Sequence, residues 1–261
     1  MTAAARIRIE RLGKTYRSRE GEIVALQGVD LAVDTGEFVT IVGPSGCGKS
    51  TLLYILAGFL PPSAGEVRVD GAPVRGPGVD RGVVFQEYAL FPWLTVFQNV
   101  TYGLEMKGVP RADREEIARR YIKLIGLEGF ERRFPRELSG GMKQRVALAR
   151  TLAYEPGILL LDEPFGALDA QTRELMQDEL IRIWEATAKT VVMVTHDVSE
   201  AVYLSQRVAV MSRRPGRMVK EFRVDLDRSP SREDVVLSQR YTDLRNRVWL
   251  AVREEVLKDA R

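Results

Sequence analysis

Residues 38–58 read FVTIVGPSGCGKSTLLYILAG. An apolar strand runs into Gly43-Pro44-Ser45-Gly46-Cys47-Gly48-Lys49-Ser50-Thr51 and then into LLYILAG, a helical pattern closed by Gly58 ahead of Pro61-Pro62. Gly43 to Ser50 fits G-x-x-x-x-G-K-[ST] in the strand, loop and helix setting that gives the pattern its mechanism. Glycines let the backbone curl so that successive N–H groups face phosphate oxygens, and the helix beginning near Lys49 adds the positive end of its dipole. Lys49 is expected to reach the β and γ phosphates, Ser50 to offer its hydroxyl to Mg²⁺, and Thr51 to donate near the α-phosphate. Cys47 occupies a free position of the loop as a small filler.

Before this stretch lie short β-rich segments with turn residues between them, IRIER (7–11), IVAL (23–26), VDLAV (29–33), and after it EVRVD (66–70), so hairpins are expected there. GVVF (82–85) is a further strand. TVFQNVTYGLEM and ADREEIARRYIKLIG then place apolar residues at helical spacing and make the middle of the chain a helical block. From Met142 onward helix and strand alternate: MKQRVALARTLA, GILLLD, RELMQDELIRIWEAT, TVVMVT, VSEAVYLS and RVAVMS. That alternation implies parallel strands with crossover helices. After Pro230, Ser231-Arg232-Glu233-Asp234 has the pattern of a capping box, and Leu237, Tyr241, Leu244, Val248 and Val252 follow at the spacing of one amphipathic terminal helix. With no internal repeat, one nucleotide-binding unit is expected to fill the chain.

Ile158-Leu159-Leu160-Leu161-Asp162-Glu163-Pro164 reads as a buried strand ending in two acids, and in an open α/β sheet the C-terminal strand ends face the ligand crevice. Asp162 is expected to hold Mg²⁺ through water, and Glu163 to take a proton from the water that attacks the γ-phosphorus. His196 follows VVMVT at another strand end, a place from which its imidazole would hold the γ-phosphate and orient the attacking water. One histidine and one distant cysteine do not make a zinc site.

The 261 residues are 45% hydrophobic and 29% charged, which excludes disordered, collagen-like and disulfide-scaffold classes. Lys plus Arg number 39 against 36 for Asp plus Glu, a net charge of +3 with no long block of one sign, so a nucleic-acid partner is not indicated. A lone cysteine and an N-terminal stretch MTAAARIRIERLGK without an apolar core point to the cytoplasm. No apolar run approaches the roughly 18 to 20 residues of a bilayer span, so a membrane role is expected to be peripheral. Asn99-Val100-Thr101 matches a glycosylation sequon, taken as chance in a chain kept out of the secretory path.

Leu138-Ser139-Gly140-Gly141-Met142-Lys143-Gln144-Arg145 adds a second glycine-containing helix start, and with it the chain closely resembles the ABC-transporter ATPase family. The resemblance spans nearly the whole sequence. It matches Tyr16 to the aromatic that stacks on adenine, Gln86 to the Q-loop, and Ser139, Gly140, Gly141 and Gln144 to the signature. Ala167-Leu168-Asp169 answers to the D-loop and His196 to the switch histidine. Met142-Lys143 stands where many relatives carry Gln-Gln or Gln-Arg.

The resemblance implies a P-loop NTPase fold of ABC type: a mainly parallel α/β sheet core with an antiparallel β subdomain and a helical subdomain. It sets an ATPase domain at 1–230, with the helical subdomain inserted at about 87–150, and a C-terminal amphipathic helix at 231–261. It implies ATP and Mg²⁺ as ligands, with Ser50, Gln86 and Asp162 on the metal. It also implies a head-to-tail dimer in which ATP on one subunit's Lys49 loop is closed over by the other's Ser139-Gly140-Gly141. Around Gln86 to Val96 it places a groove for a coupling helix of a membrane permease, with Phe91 and Trp93 either as anchors or as core aromatics.

FPWLTVFQNV, MSRRPGRMV (211–219) and the lack of an extra C-terminal domain look like the nitrate, sulfonate and taurine importer group, which implies a peripheral subunit at the cytoplasmic face of the inner membrane, bound to permease subunits and through them, indirectly, to a solute-binding protein. Soluble ABC ATPases of ribosomes or DNA carry tandem cassettes or a long coiled-coil insertion, which this chain lacks. A GTP switch needs an Asn-Lys-x-Asp reader, and neither Asn99 nor Asn246 is followed by lysine.

Overall fold

The computed structural model describes residues 5–18, 21–166, 168–229 and 231–258. Ala167 of the expected D-loop, Pro230 at the expected end of the ATPase domain and the first four residues lie outside the described residues. The strands are β1 (Ile7–Ser18), β2 (Gly21–Val33), β3 (Phe38–Val42), β4 (Ala64–Val69), β5 (Ala72–Pro73), β6 (Arg81–Val84), β7 (Ile158–Asp162), β8 (Thr190–Thr195), β9 (Arg207–Met211) and β10 (Met218–Arg223). The helices are α1 (Lys49–Leu56), α2 (Val96–Met106), α3 (Arg111–Leu124), α4 (Gly140–Ala153), α5 (Ala170–Thr187), α6 (Val198–Leu204), α7 (Arg232–Leu237) and α8 (Gln239–Leu257). Two compact units result, one of residues 1–78 with 181–261 and one of residues 79–180.

In the first unit β2, β1, β4 and β5 form an antiparallel sheet in that order. Leu12, Val29, Leu31 and Val33 are buried while their neighbours alternate outward, the pattern of a sheet with one solvated face. The two strands expected at 23–26 and 29–33 are one long strand, β2. Shifts of register against β1 between Ile9 and Thr15, with Gly28 at φ 60, let the pairing continue across the interruption. β3 lies between β8 and β9, parallel to both, and β10 adds antiparallel to β9. Every residue of β3 and β8 is buried, as a parallel sheet covered on both faces requires. Trp184 donates its indole N–H to the Gly36 carbonyl (3.1 Å) and packs edge-on against Phe38, fixing the entry to β3.

The terminal segment departs from the single helix expected. Ser238 ends α7 and caps α8 through its hydroxyl, which accepts from the Tyr241 N–H at 3.2 Å. Leu237 thereby leaves the apolar stripe and is 82% exposed, whereas Tyr241, Leu244 and Val248 are buried as their spacing predicts.

In the second unit β6 and β7 pair in parallel and α2, α3 and α4 pack together over a core that includes Val100, Leu104, Ile122 and Val146. Thr95 and Gln98 form a reciprocal capping box at the start of α2. Asn99 of the sequon is fully buried. Its amide accepts from the Phe91 N–H and donates to the carbonyls of Phe91, Leu94 and Thr95, so this residue is a structural pin for the preceding loop.

Candidate functional site

In the first unit the loop at 43–48 leaves the C-terminal end of β3. Val42 pairs with Thr195 of β8 on one side and with Val210 of β9 on the other, so the loop and His196 leave neighbouring strands at the same level. Gly46 and Gly48 stand at φ 72 and 108, in a region that side chains disfavour, and Gly48 is the N-cap of α1 with no side-chain cap. The first N–H groups of α1 therefore point out of the helix toward the loop, which is the geometry of an anion site.

Lys49 is 6% exposed, and its ammonium donates to the carbonyls of Gly43 (2.9 Å) and Pro44 (3.0 Å). The hydroxyls of Tyr16 and Thr51 lie 3.2 Å apart, and Lys14 covers the Tyr16 ring at 5.4 Å. His196 is exposed. Beside it Asp197 accepts from the N–H groups of Ser199 and Glu200 and caps α6, which turns the chain directly after the strand.

Sequence reading missed Arg214, whose guanidinium donates to the Gly46 carbonyl through Nε (3.3 Å) and Nη2 (3.1 Å) and braces the loop tip. No local pattern announces it, because the two residues are 168 positions apart.

In the second unit Val84 of β6 pairs with Leu161 of β7, which sets Gln86 and the pair Asp162-Glu163 at adjacent strand ends. Asp162 is 1% exposed, while Gln86 is exposed and Glu163 partly so. Glu163 has φ 44, a left-handed conformation rare outside glycine and concentrated at functional sites. Ser139 is exposed and caps α4, its hydroxyl accepting from the Met142 N–H at 3.3 Å, with Gly140 and Gly141 opening the helix. Gln144, one turn on, is 3% exposed. Asp169 accepts from the Thr172 N–H at 3.0 Å at the start of α5, and that bond together with the Thr172 hydroxyl holds its carboxyl below the usual range. Of the two aromatics, Trp93 is 70% exposed, while Phe91 is half-buried against Tyr102 with ring centroids 4.5 Å apart.

Cys47 is buried, and burial pushes its thiol above the ordinary range against the opposing pull of the Lys49 ammonium. Iodoacetamide is expected to label it slowly in the folded protein, with a rate still climbing past the pH of about 8.5 near which that of a free thiol levels off. Mass spectrometry against a guanidinium-unfolded control checks this, and equal rates in the two samples contradict it.

Residues 26–166 match the ABC transporter family. An ABC transporter ATP-binding protein of Methanocaldococcus jannaschii is 51% identical over 97% of this chain and 93% of its own length. The taurine import ATP-binding protein of Burkholderia pseudomallei is 48% identical over 98% of both chains. The nitrate import ATP-binding protein of Synechocystis is 47% identical over 96% of this chain and 93% of its own. Among solved structures, a dimeric bacterial ABC transporter cassette superimposes with a TM-score of 0.77 at 38% identity, covering 84% of this chain and 99% of that one. A post-hydrolysis cassette dimer bound to ADP and Pi gives 0.75 at 36% identity over the same shares. The α/β fold expected from the phosphate loop, with its antiparallel sheet and its helices, is that of these cassettes. The chain belongs to the ABC transporter ATP-binding family, and it binds and hydrolyses ATP.

Proposed function

We propose that this chain is the energy-coupling ATPase subunit of an importer for a small solute of the nitrate, sulfonate or taurine type. It works as a head-to-tail dimer on a membrane permease at the cytoplasmic face of the cell membrane, with a solute-binding protein joined through that permease. The observation that carries this reading is the near full-length likeness to import ATP-binding subunits, 48% identity over 98% of both chains for the taurine protein. A phosphate loop alone fits many nucleotide hydrolases, whereas a likeness sustained over 98% of both chains supports this subunit type. No helix among the described residues is long and apolar enough to cross a membrane, which fits a subunit that docks on one.

The roles follow from the chemistry of each group. The ring of Tyr16 stacks on adenine, and the N–H groups from Gly43 through Thr51, across Pro44, Ser45, Gly46, Cys47, Gly48, Lys49 and Ser50, cradle the phosphates. Proline contributes shape rather than a donor. The Lys49 ammonium exchanges the carbonyls of Gly43 and Pro44 for phosphate oxygens, which bear more charge. Ser50, Gln86 and, through water, Asp162 offer only oxygen donors, a set that suits Mg²⁺ alongside phosphate oxygens. When bound, that ion supplies charge neutralisation at the β and γ phosphates. Glu163 takes the proton of the attacking water, and His196 orients the γ-phosphate. Ser139, Gly140, Gly141 and Gln144 of a second copy close over the same nucleotide, with Asp169 beside the dimer contact.

In this scheme residues 1–230 are the ATPase domain, about 87–150 its helical subdomain, and 231–261 a C-terminal extension. The exposed ring of Trp93 serves as an anchor for the permease.

Tagging the chain in its own cells, solubilising membranes in mild detergent and identifying copurifying proteins by mass spectrometry tests the assignment. A polytopic permease is expected, and the solute-binding protein that travels with it identifies the solute class. Ribosomal proteins or nucleic acid in place of a membrane partner would overturn the reading.

A further inference from the structure

A single guanidinium ties the signature helix to the segment that follows Gln86. Arg150, in the third turn of α4, donates from Nη1 to the carbonyl of Ala89 at 2.7 Å, and its Nη2 lies 3.5 Å from the carbonyl of Tyr88. The guanidinium also lies over the Phe91 ring at 5.5 Å. Ala89 holds φ 47, a conformation that alanine rarely adopts and that persists only where its surroundings impose it. Both bonds are donated by a charged group, and partial burial of Arg150 lowers its pKa below the ordinary range.

Thr151 of α4 and Tyr154, the residue that caps its C-terminus, reach strand β6, which leads to Gln86. The Thr151 hydroxyl lies 3.3 Å from the Val83 carbonyl and the Tyr154 hydroxyl 3.4 Å from that of Arg81. Between them is Gly82, where a Cβ would come within 2.6 Å of the Thr151 methyl and 2.8 Å of Pro156. A side chain at position 82 would therefore push the Thr151 and Tyr154 side chains off the β6 backbone.

At its other end the segment is just as firmly held. The N–H and carbonyl of Phe91 are both bonded to the buried amide of Asn99, and its ring packs on Tyr102 and against exposed Trp93. A continuous path of packed and bonded groups thus runs from the Trp93 surface through Phe91 and Arg150 into α4, whose first turn carries Ser139. From Arg150 to that turn is about 16 Å of helix. A small tilt at the Arg150 end becomes a shift of an ångström or more at Ser139.

We propose that Arg150 is a positioning residue that makes the Gln86–Phe91 segment and α4 move as one body, so that displacement of Gln86 or of the Trp93 surface carries Ser139 with it. This rests on the ATP-dependent dimer proposed above. Arg150 touches no nucleotide in this scheme, which separates binding of ATP by one subunit from closure of the dimer over it.

The experiment uses the Glu163→Gln chain as parent, with Arg150→Gln and Arg150→Lys added. ATP affinity is measured at protein concentrations too low for dimers, and the ATP concentration giving half-maximal dimer is measured by size exclusion with light scattering. For Arg150→Gln the affinity is expected to stay within about twofold while the dimer midpoint rises about tenfold, the loss of one charge-assisted bond. Arg150→Lys keeps the charge but not the planar fork, and is expected to fall between.

A dimer midpoint that does not move, or one that moves only in step with ATP affinity and thermal stability, would overturn the proposal. If Arg150→Gln does not fold, Phe91→Leu removes the ring beneath the guanidinium, together with its packing on Tyr102 and Trp93, and is held to the same split between affinity and dimer midpoint. Failure of the parent itself to dimerise with ATP would sink the dimer reading, and this inference with it, before Arg150 is altered.

Discussion

Glu163→Gln is expected to bind ATP at least as tightly as the unaltered chain and to hydrolyse it roughly 10²–10⁴ times more slowly, the usual range for loss of a general base. Glutamine has nearly the shape of glutamate and adopts φ 44 with the same difficulty, so the turn after β7 and the burial of Asp162 are left as they are. What disappears is the capacity to accept a proton from water. The charge change runs in favour of binding, because one carboxylate fewer faces a highly anionic ligand. Slow hydrolysis with intact binding should then let an ATP-bound dimer accumulate, visible by size exclusion as a doubled mass that depends on ATP. Phosphate release at the unaltered rate would remove Glu163 from the mechanism, and slow release without the dimer would remove the head-to-tail arrangement.

How much of this was legible in the sequence depends on how local each cause is. β3, β7, β8 and β9 are short aliphatic runs buried at nearly every position, and the glycines around Lys49 declare a loop whose φ values a side chain resists. Those segments announce themselves because burial and backbone sterics act residue by residue. β10 did not, since in MVKEFR only Phe222 is buried and the strand exists by pairing at the edge of β9. The unity of β2 and the break at Ser238 were missed for a related reason: each is decided by a partner, β1 in one case and α6 and β9 beneath α8 in the other.

Site residues sort the same way. Lys49, Asp162, Glu163, Ser139 and His196 stand out through motif spacing and strand ends. Arg214 on the Gly46 carbonyl and Arg150 on the Ala89 carbonyl are 168 and 61 residues from their partners and leave no pattern in a single sequence. Packing separates the two aromatics that the sequence left alike: Trp93 faces solvent, and Phe91 is half-buried between Tyr102 and Arg150.

Lys49→Ala tests the other half of the chemistry and is expected to weaken ATP binding by roughly 10²–10³-fold, the loss of about 3–4 kcal/mol carried by two charge-assisted bonds to phosphate. Stability should move far less. Alanine is a good residue at the first position of α1, and although the change removes the ammonium's bonds to the Gly43 and Pro44 carbonyls and its contact with the Cys47 sulfur, it also relieves the desolvation of a buried charge, which offsets that loss. The two effects are therefore separable, with ATP affinity read by isothermal titration and unfolding read by thermal melts of the nucleotide-free protein.

Lys49→Arg sharpens the test, because arginine keeps the charge and adds donors in a rigid planar fork. The ammonium sits 6% exposed within hydrogen-bond reach of two carbonyls and 3.9 Å from the Cys47 sulfur, a space shaped for a compact cation. Arginine is expected to restore less than a tenth of the lost affinity. Full restoration would mean that Lys49 acts only as a charge near the loop and that the curled backbone does not define where the phosphates lie. Wild-type affinity in Lys49→Ala would leave phosphate binding to the N–H groups of the loop and the start of α1 alone.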